Sequence, residues 1–311
     1  VVTRQKSSND LLKRAELIRK DSVHGRFKGT IRVDEEQNAL IMNGNIVKFI
    51  NAEDPSDVDY SKYGIKDALL IDNTGIVSDE KGLSAHLKNK EIKKVLLTAP
   101  VKGGLKNIVY GVNHDDIQDT DKIIGAASCT TNAIVPVLSA IDKEFKIDNG
   151  HVETVHAYTN DQNLIDNYHS KNRRGRAAAL NMVLTETGAA SAVSQVLPNL
   201  EGKISANAIR VPTPNVSLID LTFVPNKEVT SESINDAMSK AANGLLKGIL
   251  ATNSAPLVSK DFNHNPHSSI FDLTQTQVIK GKFSRVLSWY DNEWGFSNRM
   301  CDTAIQISGL I

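Results

Sequence analysis

Residues 1–128 alternate short apolar runs with segments of helical periodicity, and this alternation limits the folds that the chain can adopt. Ala68–Asp72, Lys94–Thr98 and Lys122–Ala126 are rich in aliphatic residues, while Asp10–Lys20 spaces its apolar residues as an amphipathic helix does. Strands of nearly continuous apolar residues are typical of a parallel sheet whose two faces are covered by helices. The pattern therefore predicts an α/β domain over this part of the chain.

A different pattern begins at residue 128. Ala133–Phe145 carries apolar residues at helical spacing, although Pro136 is expected to kink or delay that helix. Three longer alternating segments then predict a mostly antiparallel sheet with one covered face: His151–Tyr158, Ile204–Val211 and Val216–Val224. Because 311 residues leave room for two domains, we expect a second domain of α+β type here.

The charge balance and the cysteine content exclude several classes of protein. Lys and Arg total 36 and so do Asp and Glu, which argues against binding nucleic acid or an anionic membrane through net charge. We find no run of the ~18–20 apolar residues that a membrane span needs. Two cysteines, Cys129 and Cys301, cannot form a disulfide framework, so a reducing, cytoplasmic compartment is expected.

Cys129 is the first candidate for a reactive group. It lies in Ser128–Asn132 (SCTTN), where a predicted strand ends and a helical pattern begins. The N–H groups and the dipole at a helix N-terminus favour a thiolate, and the neighbouring hydroxyl and amide groups can bind an oxyanion. A small buried cysteine among helix-capping residues would give the same pattern.

His156 is the candidate base, because it lies on a following strand 27 residues after Cys129. A helix followed by a returning strand would bring its ring to the start of the helix. An imidazolium there would lower the pKa of the thiol and allow Cys129 to ionise near neutral pH. The chain has eight histidines, so a chance pairing is an open alternative.

Several basic and hydroxyl groups fit anion binding. The polar segment Thr159–Asn181 contains Arg173, Arg174 and Arg176 and is long enough to be a functional loop. Arg210 ends a predicted strand, and Thr187–Gly188 precedes a helical run. Guanidinium groups and a helix start suit phosphate recognition, whereas a solvated loop or a subunit contact would explain the arginines equally well.

Longer strings of residues then identify a family. The chain resembles glyceraldehyde-3-phosphate dehydrogenase of the phosphorylating type, with the strings in family order across nearly the whole chain. They are DSVHGRFKGT (21–30), ASCTTN (127–132), TVHAYTNDQ (154–162), RRGRAAA (173–179), TGAA (187–190), IRVPTPNVSLIDL (209–221) and SWYDNEWGFSNR (288–299). The distance from Cys129 to His156 also equals the family's spacing of nucleophile and base.

The resemblance implies a reaction and a role for each matching residue. Cys129 would attack D-glyceraldehyde 3-phosphate to give a thiohemiacetal and then a thioester, with His156 as base, and inorganic phosphate would release 1,3-bisphosphoglycerate. The implied phosphate-binding residues are Ser128, Thr130, Thr159, Arg174, Thr187, Gly188 and Arg210; Thr159 and Arg210 match the residues for the substrate's own phosphate. The implied cofactor-binding residues are Thr74, Gly75, Thr98 and Asn292. The resemblance further implies glycolysis or gluconeogenesis as the pathway, NAD as cofactor, no metal, no nucleic acid or membrane partner, and a cytoplasmic homotetramer.

The implied fold is a Rossmann-type dinucleotide-binding domain followed by a catalytic domain. We assign residues 1–128 and 292–311 to the first and residues 129–291 to the second. The family's Gly-rich turn after the first strand is absent, since no G-x-G-x-x-G occurs in the sequence. Val1-Val2 aligns with the second strand of the domain, so we expect that the first strand and helix are missing upstream and that the Rossmann domain is N-terminally truncated.

The choice between NAD and NADP is open. NAD-preferring members end the second strand with an acidic residue that binds the ribose 2′-hydroxyl. The corresponding segment here is Thr3–Lys6 (TRQK), with no acidic residue before Asp10. A basic turn of this kind tolerates a 2′-phosphate, so NADP use or dual use is a hypothesis.

Three other functions are compatible with parts of the pattern. Erythrose-4-phosphate dehydrogenase belongs to the same family and hydrolyses its acyl-enzyme, but Thr187–Gly188 favours attack by phosphate. A Cys–His amide hydrolase would leave the arginines and the string at 288–299 without a role. A binding protein that retained the fold is the third alternative, since the absent Gly-rich turn would weaken cofactor binding.

Overall fold

The first part of the chain forms small parallel and antiparallel sheets with one long helix. The computed structural model describes residues 1–4 and 7–311. In order, the elements are β1 (Val2–Thr3), α1 (Asp10–Arg19), β2 (Lys20–Asp21), β3 (Gly25–Arg26), β4 (Ile31–Asp34), β5 (Ala39–Met42), β6 (Asn45–Lys48), β7 (Ile50–Asn51), β8 (Ala68–Asp72), α2 (Glu80–Leu83), β9 (Ile92–Leu97) and β10 (Ile123–Gly125).

The predicted parallel strands are present, and they are divided between two sheets. β1 pairs with β7, and β8, β9 and β10 form a separate three-stranded parallel sheet. One apolar cluster joins the two sheets, because Val2 and Ile50 pack with Val95 and Leu97. β4, β5 and β6 form an antiparallel meander beside them, and β2 pairs with β3 as a short hairpin.

The second part is built on one large mixed sheet. Its elements are α3 (Cys129–Phe145), β11 (Ile147–Ala157), β12 (Val183–Thr185), α4 (Ala189–Val196), β13 (Ile204–Val211), β14 (Ser217–Pro225), α5 (Ser231–Asn243), β15 (Leu250–Asn253), β16 (Ser269–Asp272), β17 (Gln277–Ile279), β18 (Phe283–Tyr290) and α6 (Trp294–Ser308). The strand order is β12-β13-β11-β14-β18-β16-β15, with β17 also paired to β18.

This sheet is mostly antiparallel, as expected, but two of its strand pairs are parallel. β11 runs parallel to β13, and β15 runs parallel to β16. The first of these pairs places His156 directly beside Arg210. Alternate residues of β14 are buried, including Ile219 and Leu221, and they pack with Leu138 and other residues of α3 in the largest apolar core. The fold class is therefore the α/β plus α+β combination that the sequence predicts.

Pro136 does not delay the helix that contains it. α3 begins at Cys129 and continues through Pro136 to Phe145. Proline removes one helical hydrogen bond, so a compensating contribution is needed. Val135 and Val137 on either side are fully buried, and their burial stabilises the helix against this loss.

The last helix packs against the first part of the chain. Met300 and Ile307 of α6 contact a cluster that includes Leu96, Ile108 and Ile124 around the β8-β9-β10 sheet. This packing supports the assignment of the C-terminal segment to the dinucleotide-binding domain, although the bounds 1–128, 292–311 and 129–291 stay a prediction. None of the helices within the described residues is long and apolar enough to cross a membrane.

The buried Lys94 side chain holds the loop before β10. This side chain has 1% exposure, and its ammonium group donates to the carbonyls of Gln118, Asp119 and Asp121 at 3.3, 2.8 and 2.7 Å. Lys94→Met removes these charge-assisted bonds, so we expect the free energy of unfolding to fall by about 2–4 kcal/mol. Urea unfolding measures this change.

The adjacent Lys93 is the matched control. Its side chain is 45% exposed and pairs with Asp67 at 3.2 Å on the surface. Exposed ion pairs contribute little, so Lys93→Met should change stability by less than ~1 kcal/mol. Equal losses in the two variants would show that the buried carbonyl contacts are not what Lys94 contributes.

Candidate active site

The turn between β10 and α3 presents Cys129 at the start of a helix. Ala127 in this turn is fully buried and has a left-handed backbone with φ of 56°, which is uncommon for a residue with a side chain. Ser128 then caps the helix, because its Oγ accepts the N–H of Thr131 at 3.0 Å. The chain direction therefore reverses sharply, and the thiol lies among the free N–H groups of the first helical turn.

The Cys129 thiol lies next to the His156 ring, close to the end of β11. Cys129 Sγ is 3.5 Å from His156 Nε2. The other ring nitrogen, Nδ1, lies 2.7 Å from the carbonyl of Ala157, so we assign the proton to Nδ1 from this hydrogen bond. The Nε2 lone pair then points to the thiol and can accept its proton.

The pKa shifts favour a neutral pair. The pKa of His156 is lowered to about 4, mainly by burial and in addition by the Arg210 cation, while the bond to Ala157 opposes the shift. Burial raises the pKa of the Cys129 thiol, against the lowering influence of Arg210 and of hydrogen bonds from Thr130. At neutral pH the geometry therefore presents a thiol and an uncharged imidazole. The imidazolium partner expected from the sequence stays a prediction, since burial favours the uncharged ring.

Arg210 supplies the nearest positive charge. It ends β13 beside His156, and its Nη1 donates to the carbonyl of Ala157 at 2.9 Å and to Thr159 Oγ1 at 3.2 Å. Its Nε is buried and has no hydrogen-bond partner within the described part of the chain. A buried N–H without a partner is costly, so an anion at this position would be bound favourably.

Arg174 is held firmly in the long loop. Its Nε donates to Thr185 Oγ1 at 2.9 Å, its Nη1 pairs with Asp161, and its Nη2 donates to the carbonyl of Glu186 at 3.3 Å. Its positive charge acts on both His156 and Arg210, lowering the pKa of each, with burial as the larger cause. Arg173 and Arg176 are not comparable, because Arg176 makes an exposed pair with Asp166 and Arg173 lies in an outer pocket.

The hydroxyl groups that were predicted to bind phosphate lie in two places. Ser128 and Thr130 flank Cys129, but the Thr130 side chain is buried and its hydroxyl contacts Tyr290 at 3.0 Å. Thr187 and Gly188 lie at the start of α4, where Thr187 Oγ1 accepts the N–H of Ala189 at 3.2 Å. Arg174 ties Thr185 and Glu186, the residues just before Thr187, to the loop.

The predicted cofactor residues lie at the carboxyl edge of the parallel strands. Thr74 and Gly75 follow β8, and Thr98 follows β9. Asp72 joins them, because its carboxylate accepts the Thr74 N–H at 2.8 Å and its carbonyl accepts the Thr98 N–H at 3.0 Å. In open α/β sheets, ligands bind at this edge. Cys129 follows β10 at the same edge.

Asn292 and the segment after β1 complete the predicted cofactor residues. Asn292 is buried between β18 and α6, and its Oδ1 accepts a hydrogen bond from Ser217 at 2.8 Å. In the segment Thr3–Lys6, Gln5 and Lys6 lie outside the described residues. Arg4 is exposed, and its Nε donates to the carbonyl of Glu53 at 2.9 Å.

Tyr290 is a site residue that the sequence analysis did not single out. Its hydroxyl lies 3.0 Å from Thr130 Oγ1 and 2.8 Å from Thr154 Oγ1, and its ring meets the His156 ring edge-on with centroids 5.9 Å apart. Burial raises the pKa of this phenol, so it stays protonated. The tyrosine lies within the string at 288–299, but only the fold brings it beside Thr130 and His156.

Comparisons with known proteins agree with this geometry. Residues 128–292 match the family model described as glyceraldehyde 3-phosphate dehydrogenase, C-terminal domain, and residues 1–80 match the one described as its NAD binding domain. The chain belongs to the glyceraldehyde-3-phosphate dehydrogenase family. The resemblance found in the sequence is therefore confirmed, as is the combination of a dinucleotide-binding and a catalytic domain.

The family relatives are similar over most of their length. The chain is 52% identical to the glyceraldehyde-3-phosphate dehydrogenase-like protein of Pseudomonas aeruginosa (strain UCBPP-PA14), over 100% of this chain and 68% of that protein. It is 45% identical to glyceraldehyde-3-phosphate dehydrogenase of Zymomonas mobilis, over 94% of this chain and 86% of that one. Glyceraldehyde-3-phosphate dehydrogenase 1 of Bacillus subtilis is 44% identical, with coverages of 94% and 87%.

Among residues 1–4 and 7–311, no group of three or more His, Cys, Asp or Glu side chains is arranged to hold a metal ion. The charged groups nearest Cys129 are guanidinium groups, which recognise anions.

The lowered pKa of His156 predicts an acid-dependent loss of stability. As the pH falls from 7 to 5, the unfolded chain binds a proton at this residue, whereas the folded protein, with a pKa of about 4, does not. Folding therefore loses about 2 kcal/mol from this group over that range. His156→Gln lacks the group, so its stability relative to the wild type should rise by about that amount between pH 7 and pH 5.

Urea unfolding at the two pH values tests this expectation. His151→Gln is the control, because the His151 side chain lies on the same strand but is 40% exposed. If the two variants change in parallel with pH, the effect does not come from the burial of His156.

Proposed function

We propose that the protein oxidises D-glyceraldehyde 3-phosphate to 1,3-bisphosphoglycerate with NAD or NADP, taking up inorganic phosphate, as a reaction of glycolysis or gluconeogenesis. The observation that carries the proposal is the 3.5 Å contact between Cys129 Sγ and the unprotonated Nε2 of His156, close to the Arg210 cation. A nucleophile beside a neutral base and a buried cation suits addition to the aldehyde of an anionic substrate.

The first step forms a covalent bond to substrate. His156 Nε2 takes the thiol proton as Cys129 Sγ adds to the aldehyde carbon, and the same proton passes to the new oxyanion to give a thiohemiacetal. When the C–H hydride leaves, His156 accepts the hydroxyl proton and a thioester remains on Cys129. Because burial favours the neutral form of His156, the Nε2 lone pair is available to accept a proton at physiological pH.

The second step releases the product. An oxygen of inorganic phosphate attacks the thioester carbon, the C–S bond breaks, and Cys129 leaves as a thiolate that recovers the proton held by His156. The acyl phosphate formed is 1,3-bisphosphoglycerate. Every proton that His156 accepts is thus returned within one cycle.

The cofactor accepts the hydride when it is bound. Thr74, Gly75, Thr98 and Asn292 are the residues that would hold it. Thr74, Gly75 and Thr98 follow the carboxyl ends of β8 and β9, which fits a dinucleotide. Gly75 has φ of 71° with open space where a side chain would be, so a ligand can approach the backbone. The fit concerns the nicotinamide side, since the sequence has no G-x-G-x-x-G turn.

Two groups of residues would bind the two phosphates. Thr159 and Arg210 would hold the phosphate of the substrate, and the partnerless Nε of Arg210 supports this role. Ser128, Thr130, Arg174, Thr187 and Gly188 would hold the attacking phosphate, for which the N-terminus of α4 offers free N–H groups. Since the Thr130 hydroxyl already contacts Tyr290, its contribution would come from the backbone N–H.

We also infer a cytoplasmic homotetramer. Between residues 164 and 184, Leu164, Tyr168, Leu180 and Met182 are each more than three quarters exposed. Large apolar side chains gathered on one loop mark a surface that another subunit covers. The two cysteines are both free, which suits a reducing compartment.

Phosphate dependence tests the proposed reaction. The rate of cofactor reduction with glyceraldehyde 3-phosphate should rise with inorganic phosphate, Cys129→Ser should abolish it, and His156→Gln should lower it by a factor of about 10²–10⁴. Cys301→Ser, which changes the other, exposed cysteine, is the control and should keep full activity.

The same assay separates the alternative within the family. A rate independent of phosphate, with a free carboxylic acid as product, would favour hydrolysis of the thioester, as in erythrose-4-phosphate dehydrogenase. No aldehyde oxidation by the wild-type protein would refute both functions.

Cofactor choice has its own test. We expect dual use, with kcat/KM for NADP within about tenfold of that for NAD, because the turn after β1 offers Arg4 and no carboxylate. Arg4→Glu should lower kcat/KM for NADP by about tenfold and leave that for NAD nearly unchanged. Arg26→Glu, on the exposed strand β3, is the matched reversal of a surface charge. Strict preference of the wild type for NAD would contradict dual use.

A further inference from the structure

Two histidines far apart in sequence contact each other beside the proposed cofactor site. His24 lies in the turn of the β2–β3 hairpin, and His264 lies in the segment before β16. His24 Nδ1 is 2.8 Å from His264 Nε2, and the two rings stack with centroids 4.9 Å apart. The other nitrogen of His24 is 2.6 Å from the carboxylate of Glu293. With both rings neutral, His264 donates to His24, and His24 donates to Glu293.

His264 is held in a strained conformation. Its φ is 67°, in the left-handed region that favours glycine. Its ring also packs against Trp294, with centroids 4.5 Å apart, and its N–H donates to Asp291 Oδ2 at 2.8 Å. Backbone strain of this kind persists where the surrounding contacts hold it, and it occurs often at functional sites.

These contacts surround Asn292, the residue proposed to hold the nicotinamide amide. Asp291 accepts the N–H groups of Glu293 and Trp294 at 3.0 and 2.8 Å, which fixes the first turn of α6. Asp291, Glu293 and Trp294 each contact His264 or His24, so both sides of Asn292 are tied to the histidine pair.

The pair also connects the two parts of the chain. The hairpin that carries His24 is rigid, because Asp21 Oδ1 accepts the N–H groups of Val23 and His24 at 2.8 and 2.7 Å, and these bonds lower the pKa of Asp21. Asn263, next to His264, donates to the carbonyl of Val23 at 3.5 Å. The position of Asn292 relative to the parallel strands therefore depends on this contact.

We propose that His24 and His264 are positioning residues for cofactor binding, acting through Glu293 and Trp294 on Asn292. The inference rests on the proposed function, because it assumes that Asn292 binds the nicotinamide. This role also explains why a histidine occupies position 264, where the left-handed φ favours glycine.

His264→Gly separates positioning from stability. Glycine relieves the left-handed strain, so Tm should stay the same or rise, while loss of the ring should raise Kd for NAD about tenfold. KM for NAD should rise in step, and kcat at saturating NAD should change less than about threefold. The measurements are calorimetric titration with NAD, thermal unfolding and steady-state kinetics on the full chain.

Two further variants make the result specific. Lys280→Gly changes another residue with positive φ, 50°, in the turn between β17 and β18, so it should alter Tm in the same direction and leave Kd for NAD unchanged. His264→Gln can still donate a hydrogen bond to His24, so it should restore part of the lost affinity.

The outcomes distinguish this inference from the proposed function. The positioning role is overturned if the His264→Gly protein binds NAD as tightly as the wild type. It is also overturned if the affinity for NAD falls only to the extent that Tm falls. A wild-type protein that neither binds NAD nor oxidises glyceraldehyde 3-phosphate overturns the proposed function instead.

Discussion

The contact between Cys129 and His156 depends on how one helix and one strand end at the same place. α3 leaves the strained turn at Ala127, and β11 returns along the same core so that its last residues reach the helix start. A long apolar interface between α3 and the sheet, with Leu138 and Ile219 among its buried residues, fixes the distance. The 3.5 Å contact is thus maintained by an apolar interface far larger than the contact itself.

Burial favours the uncharged forms of both Cys129 and His156. Taking an imidazole out of water disfavours its charged form, and the neighbouring Arg210 cation acts in the same direction. The same burial disfavours the thiolate, whereas Arg210 favours it. A neutral acceptor next to a protonated thiol avoids burying an ion pair. In the proposed reaction, the proton moves as the sulfur adds to the aldehyde.

The sequence was sufficient for features set by local chemistry. The strand end before Cys129 and the amphipathic helix α1 follow from neighbouring residues, and the structure has both. The strand pattern singled out His156 and Arg210, and the family strings then implied a role for each. The contacts of Tyr290 with Thr130 and Thr154 could not be predicted this way, because they join residues 160 and 136 positions apart.

The charge state of His156 and the direction of the strands could not be predicted from the sequence either. The pKa of His156 depends on burial by residues from several elements, so spacing suggested an imidazolium where the folded site has a neutral ring. Alternating residues predict a covered strand but do not give its direction, and the parallel pairing of β11 with β13 had no local signal. That pairing is what sets Arg210 beside His156.

Arg174 and Arg210 differ in how much of each guanidinium is available to a ligand. Arg174 uses Nε, Nη1 and Nη2 on Thr185, Asp161 and Glu186, so it is fixed before any anion arrives. Arg210 makes two contacts through Nη1 and keeps its buried Nε without a partner in the described chain. A guanidinium whose nitrogens are already hydrogen-bonded acts on an anion through its charge and does not need to move. A guanidinium with a free N–H gains a hydrogen bond when an anion binds. This difference fits the proposed roles, in which Arg210 binds the substrate's phosphate directly and Arg174 acts on the attacking phosphate through its charge while it orients the loop before α4.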